Sequence, residues 1–216
     1  MYRRLIATLK EKIWLRISGI CGVLTPIVAF TCIFLAIASW PAFSWTDNAL
    51  SDLGVQEGIT SILFNNGLIF GGILALVFSS GLPVLVKEKT LTKIGTVILV
   101  FADVALIAIG IFPETARPMH FYASVAFFMF YPISMFFYVA AFMQMSKAKT
   151  AVLTFLIGIA ASAAWIIQWA IGFGSGVAIP ETIAAFSASM WSLVMGFKML
   201  RQASQSTDNM EDNTAL

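Results

Sequence analysis

Eleven residues, Gly110-Ile-Phe-Pro-Glu-Thr-Ala-Arg-Pro-Met-His120, bring a carboxylate, a guanidinium and the single histidine of the chain into one short connection. An imidazole within reach of a carboxylate is a base with an orienting partner, so His120 with Glu114 or Asp52 is the candidate acid–base pair. Ser124 lies one helical turn beyond His120, and Ser51 lies in another polar connection. Either hydroxyl has the chemistry of a nucleophile. The plainer reading of His120 stands beside this one: it caps or anchors a helix, bonded to Glu114 or to backbone. Arg117 is the one cation remote from every other Lys and Arg. Its planar fork suits a phosphate, and equally an ion pair with Asp52 or Glu114. A single histidine excludes a three-histidine zinc centre. Asp52, Glu114 and His120 form the donor set a hard divalent ion would require, but the expectation is a site with no metal and no cofactor.

These groups need positioning, and the rest of the chain dictates how. Of 216 residues, 59% are hydrophobic and only 11% are charged, whereas a soluble domain carries about 25% charged residues. A water-facing surface cannot be built from this composition, so lipid is the solvent for most of it. The expected class is an all-α integral membrane protein. Six apolar runs are long enough to cross a bilayer, at roughly 17–40, 61–86, 94–113, 121–145, 151–173 and 180–200. They form a transmembrane domain at 17–200, between a basic segment at 1–16 and a polar tail at 201–216 expected to be disordered. An Ala36-Ile37-Ala38 triplet resembles a signal-peptidase site, but the run before it is longer than a signal core, so it reads as a retained helix. Cys21 and Cys32 share that first run and read as small packing residues.

Twelve of the thirteen basic residues fall on one side of a six-span arrangement: Arg3, Arg4, Lys10, Lys12 and Arg16, then Lys87, Lys89 and Lys93, then Lys147 and Lys149, then Lys198 and Arg201. Retained cations mark the cytoplasmic side. Both termini are therefore expected inside and Arg117 outside, with the plasma membrane of a prokaryote as the expected location. No basic patch is interleaved with exposed aromatics, so nucleic acid is not an expected partner; membrane lipids are.

With that orientation the scarce polar groups collect on the outer side. The first long connection carries Asp47, Asp52 and Glu57. In it Thr46 or Asp47 is placed to cap a short helix whose Leu50 and Leu53 face the membrane and which Gly54 stops. Asn65 and Asn66 follow just below the surface, and Glu181 follows Pro180 in the first turn of the last span. Residues seven or eleven apart share a helix face. This aligns Asn65, Gly72 and Ser79; Asp103, Gly110 and Glu114; His120, Ser124 and Tyr131; and Thr182, Ser189 and Gly196. Such polar and small-residue stripes turn inward in lipid. Gly67 and Gly71 form a GxxxG pair suited to close helix approach, including a homo-oligomer through glycine-rich faces. Pro26 and Pro132 are expected to kink the first and fourth spans. Trp14, Trp40 and Trp45 suit interfacial belts, while Trp165, Gln168 and Trp169 read as packing plus one satisfied amide.

Asp103 lies near the middle of the third span with no Lys, Arg or His at its depth. A carboxyl there is either held as the neutral acid, bonded to Asn66, Ser124 or a backbone carbonyl, or lines a wet cavity. It is also where a proton-coupled transporter would keep its coupling group, although the inverted repeat and paired broken helices of such proteins are missing.

Three segments together, Asn48-Ala-Leu-Ser-Asp-Leu-Gly54, Phe64-Asn-Asn-Gly-Leu-Ile-Phe-Gly-Gly72 and Gly110-Ile-Phe-Pro-Glu114 with His120 and Ser124, resemble the six-span membrane family known as domain of unknown function 998. The resemblance spans about 17–200. It implies a six-helix bundle with a polar motif cluster facing outward, and a distant likeness to DRAM-like and Sfk-like membrane proteins, some linked to lipid handling. It supplies no reaction.

The residues thus point to one site at the outer rim. His120, Glu114 and Asp52 are its candidate acid–base groups, and Asn65, Asn66, Arg117, Ser124 and Asp103 its candidate ligand-binding groups. The leading expectation is binding, with acid–base processing as an extension, of a lipid headgroup or small amphiphile. The alternatives are a proton-coupled transporter using Asp103 and a non-catalytic membrane organiser.

Overall fold

The computed structural model describes the backbone of residues 2–86 and 90–214 and the side chains of 6–86 and 90–205. Lys87 and Lys89, with the side chains of Arg3 and Arg4, lie outside the described residues.

Long apolar runs cannot leave backbone groups unpaired in lipid, so each closes its hydrogen bonds within itself as a helix. Six result: α1 Tyr2–Ala38, α2 Ile59–Leu85, α3 Thr90–Ile111, α4 Met119–Gln144, α5 Ala148–Ala170 and α6 Ala178–Thr214. Each has a stretch long and apolar enough to cross a membrane. The chain is a multi-pass membrane protein by this measure. The central four helices begin and end within about four residues of the runs read from hydropathy. The outer two are longer. The basic segment is part of α1, and the backbone expected to be a separate disordered tail from 201 continues α6 as helix to Thr214, with no Gly or Pro to interrupt its ladder. Ala36 of the signal-like triplet is fully buried within α1.

Consecutive helices pack against each other, and α6 returns to α1, so the six close into a ring. Outward faces are oily: Ile27 (53% exposed), Phe70 (57%) and Phe101 (58%) are examples. Glycines set the close approaches inside the ring. A side chain on Gly67 would strike Cys32, and one on Gly71 would press Ala29. The GxxxG face is therefore spent on α1 of the same chain, which removes it from the surface that a second copy could use. Gly19 and Gly196 likewise bring α1 onto α6, each Cβ position lying 2.9 Å from the other's carbonyl oxygen.

One half of the interior is filled. Trp191 lies edge-on to Phe78 at 5.8 Å and 5.0 Å from Tyr138, with its Nε1–H donated to Thr154 Oγ1 at 3.1 Å. Tyr138 and Thr96 share a 2.7 Å hydroxyl bond between α4 and α3. Towards the other end, where a short 3-10 helix at Leu50–Val55 sits in the α1–α2 connection, the ring holds open space.

Candidate functional site

At this loop-helix end the long connection is held by one asparagine. Asn48 Oδ1 accepts the Ser44 N–H at 2.9 Å, and its Nδ2 donates to Asp52 Oδ2 at 2.9 Å. Its carbonyl accepts the N–H groups of Val177 (3.1 Å) and Ala178 (2.9 Å), while Gly176 N–H reaches the Thr46 carbonyl at 2.7 Å. The α1–α2 and α5–α6 connections are thereby sewn together through backbone. Asp47 adds to the seam. It accepts from Ser44, Ser175 and Thr46, and these hydroxyls hold its carboxyl below the usual range. Gln168 secures the α5–α6 connection itself, donating to Gly176 O and accepting from Phe173 N–H.

The loop helix departs from expectation in two ways. Leu50 and Leu53, expected to face the membrane, are buried at 5% and 0% exposure, because the helix folds over the mouth of the ring instead of lying outside it. Its N-terminus is capped from within by Asp52, which accepts the Ala49 N–H at 2.9 Å, rather than by Thr46 or Asp47. Gly54 lies inside the helix, where Asn65 Nδ2 donates to its carbonyl at 2.9 Å.

Beside it runs a groove of about 810 Å³ between α4 and α5. Its head is lined by Glu114, Arg117, His120, Ser51 and Glu181, and its length by Val125, Met129, Ile133, Phe136 and Ile166. Arg117 donates to Glu114 at 3.0 Å and is otherwise exposed. His120 is buried, with Nδ1 2.8 Å from the Phe112 carbonyl. A carbonyl only accepts, so Nδ1 carries the proton and Nε2 is the nitrogen left for a ligand. Ser51, Ser124, Phe128 and Glu181 line both this groove and a smaller cavity of about 110 Å³ inside the ring. Pro132, which lacks an N–H, frees the Phe128 carbonyl along that partition.

Asp103 lines the inner cavity and is 5% exposed. Its partner is Ser79, whose hydroxyl donates to Oδ2 at 2.6 Å; Asn66 and Ser124, the expected partners, do not reach it.

The expected site residues therefore separate into three places. Glu114, Arg117, His120 and Ser124 come together along the groove. Asp103 belongs to the inner cavity. Asp52, Asn65 and Asn66 line neither: Asp52 and Asn65 hold the loop helix, and Asn66 is exposed on its own helix, donating to Ile62 O. Asp52 thus does not orient His120. Among the described residues no three His, Cys, Asp or Glu side chains are grouped as a metal site would require, and no hydrogen bond joins His120 to Ser51 or Ser124.

Two residues matter more than their sequence context suggested. Asn48 is the hub of the seam. Glu181, noted only for its place in the first turn of α6, is buried at 9% exposure with Oε2 accepting the Leu50 N–H at 2.6 Å. The Asn-Ala-Leu-Ser-Asp-Leu-Gly segment carried a signal for the first. Nothing local marked the second, whose partner is 131 residues away.

No curated protein and no solved structure matches the chain. A family model described as Protein of unknown function (DUF998) matches residues 23–198. That stretch takes in the loop helix, the groove, the inner cavity, four of the six candidate spans entire and part of the first and the last. The chain belongs to the DUF998 family.

Proposed function

We propose that the groove between α4 and α5 binds a single lipid or similar amphiphile from the surrounding membrane. The observation that carries this is the distribution of its lining: ionic and hydrogen-bonding groups at one end, and hydrocarbon along the rest. From His120 to Phe136 the groove follows α4 for about 24 Å at 1.5 Å per residue. One leaflet with its headgroup layer, half of about 40–45 Å, has a similar depth. An acyl chain would lie against Val125, Met129 and Ile133. The headgroup would meet Arg117, which can exchange Glu114 for a phosphate, and Nε2 of His120. Binding is favoured over catalysis, because neither Ser51 nor Ser124 is hydrogen-bonded to His120 as a nucleophile is to its base.

Lys10, Lys12, Arg16, Lys93, Lys147, Lys149, Lys198 and Arg201 occupy connections and the halves of helices remote from the loop helix. By the retention of cations at the cytoplasm, the headgroup end faces outward, in the outer leaflet of a prokaryotic plasma membrane.

Met129 is 49% exposed, so enlarging it fills the groove without overpacking the ring. Purified Met129→Trp is expected to retain about tenfold less lipid than wild type by mass spectrometry, a loss of about 1.4 kcal/mol. His120→Ala is expected to retain a different headgroup distribution. Identical lipid content in all three proteins would exclude the groove as the binding site.

A further inference from the structure

We infer that the inner cavity is a hydrated chamber through which Asp103 exchanges its proton with the loop-helix end of the protein by way of Glu181. The two carboxyl groups line one continuous space. Asp103 keeps Oδ1 free after Ser79 bonds Oδ2, and the Tyr131 hydroxyl, on a residue 4% exposed, lines the same space with no protein partner. Buried polar atoms without protein partners are completed by water where there is room. A volume of about 110 Å³ has room for about three to four waters at about 30 Å³ each.

The depths agree. Asp103 lies eight residues inside the end of α3, about 12 Å along the bundle, and Glu181 three residues inside the start of α6, about 5 Å. Glu181 is thus the nearer of the two to the loop-helix end, and waters at hydrogen-bond spacing of about 2.8 Å in the space that both acids line are the links between them. A proton taken up by the Glu181 carboxylate passes to the first water. Each water breaks one O–H bond as it forms another, and the last bond forms on Asp103. Glu181 returns to carboxylate and Asp103 becomes the acid, with nothing else consumed.

The groups facing Asp103 are few. Ser79 comes from α2, Tyr131 and the Thr96-bonded Tyr138 from α4, and Glu181 from α6 across the cavity; α1 contributes Thr25 and no titratable group to the lining. Among the described residues no Lys, Arg or His lines the chamber, so none of them holds Asp103 as a permanent carboxylate.

Infrared spectroscopy of the full chain in lipid tests this. The carboxylic C=O band of Asp103 is assigned by its loss in Asp103→Asn or, if that variant does not fold, by its displacement in Asp103→Glu. In wild type the band is expected to shift promptly on transfer to D2O. Ala185 lines the same cavity one turn below Glu181 on α6, and Ala185→Leu is expected to slow the shift about tenfold, equivalent to about 1.4 kcal/mol of added barrier. A wild-type band that does not exchange over hours, the absence of any Asp103-dependent band across the accessible pH range, or equal exchange in Ala185→Leu would each overturn the inference.

Discussion

Gly176→Val is expected to unstitch the loop-helix end of the protein and open the head of the groove while the six helices remain in place. A Cβ on Gly176 would fall onto the backbone of Asp47 and Asn48. Backbone cannot rotate away as a flexible side chain can, so the α5–α6 connection has to lift. Lifting it breaks three backbone bonds, from Gly176, Val177 and Ala178 to the carbonyls of Thr46 and Asn48. At about 1 kcal/mol net for each, the local loss is about 3 kcal/mol. Hydrogen exchange is then expected to rise about a hundredfold in residues 44–56 and 172–181. The ring is held elsewhere, by contacts such as Gly19 on Gly196 and Trp191 on Tyr138, so amides in the middles of α2 and α4 should keep their protection. Uniform acceleration through all six helices would mean that the seam is part of the global fold and not a separable closure over the site.

The second large effect is expected at Glu181. Its carboxyl takes the N–H of Leu50, and both residues are buried. Glu181→Ala leaves that donor buried and unpaired, at a cost of about 1–3 kcal/mol, and releases the helix that covers the mouth of the ring. Glu181→Gln keeps an oxygen acceptor in place, so its cost to the loop helix should be about 1 kcal/mol or less. Limited proteolysis between residues 44 and 58 reads the difference: Ala is expected to be cut rapidly, and Gln at nearly the wild-type rate. Equal cutting of both would show that the charge, and not the acceptor, holds the loop helix.

What could be read from the residues follows from which forces are local. Span number and approximate ends were legible because lipid requires about 20 apolar residues per crossing, and the polar connections interrupt those runs sharply. Inward stripes were legible too. Ser79 and Asp103 came from two of them and meet in one hydrogen bond. Which stripe members meet was not legible, since that depends on the relative depth of two helices. Asn65 and Asn66 show the limit at its smallest. They are adjacent, about 100° apart around α2, and only the glycine contacts of α2 with α1 and α3 turn the first towards Gly54 and leave the second exposed. Leu50 and Leu53 were read as membrane-facing because both lipid and a bundle interior accept leucine. The Leu50–Glu181 bond that decides between them is not local at all.

Photolabelling distinguishes a built groove from general lipid contact. The full chain would be reconstituted with a phospholipid carrying a diazirine partway along one acyl chain, irradiated, and mapped by peptide mass spectrometry. Specific occupancy predicts labels concentrated on Val125, Met129 and Ile133 of α4 and Ile166 of α5, and depleted there in Met129→Trp. If labels instead spread over Ile27, Phe70 and Phe101 in proportion to their exposure, with no excess between α4 and α5, the groove holds no lipid of its own.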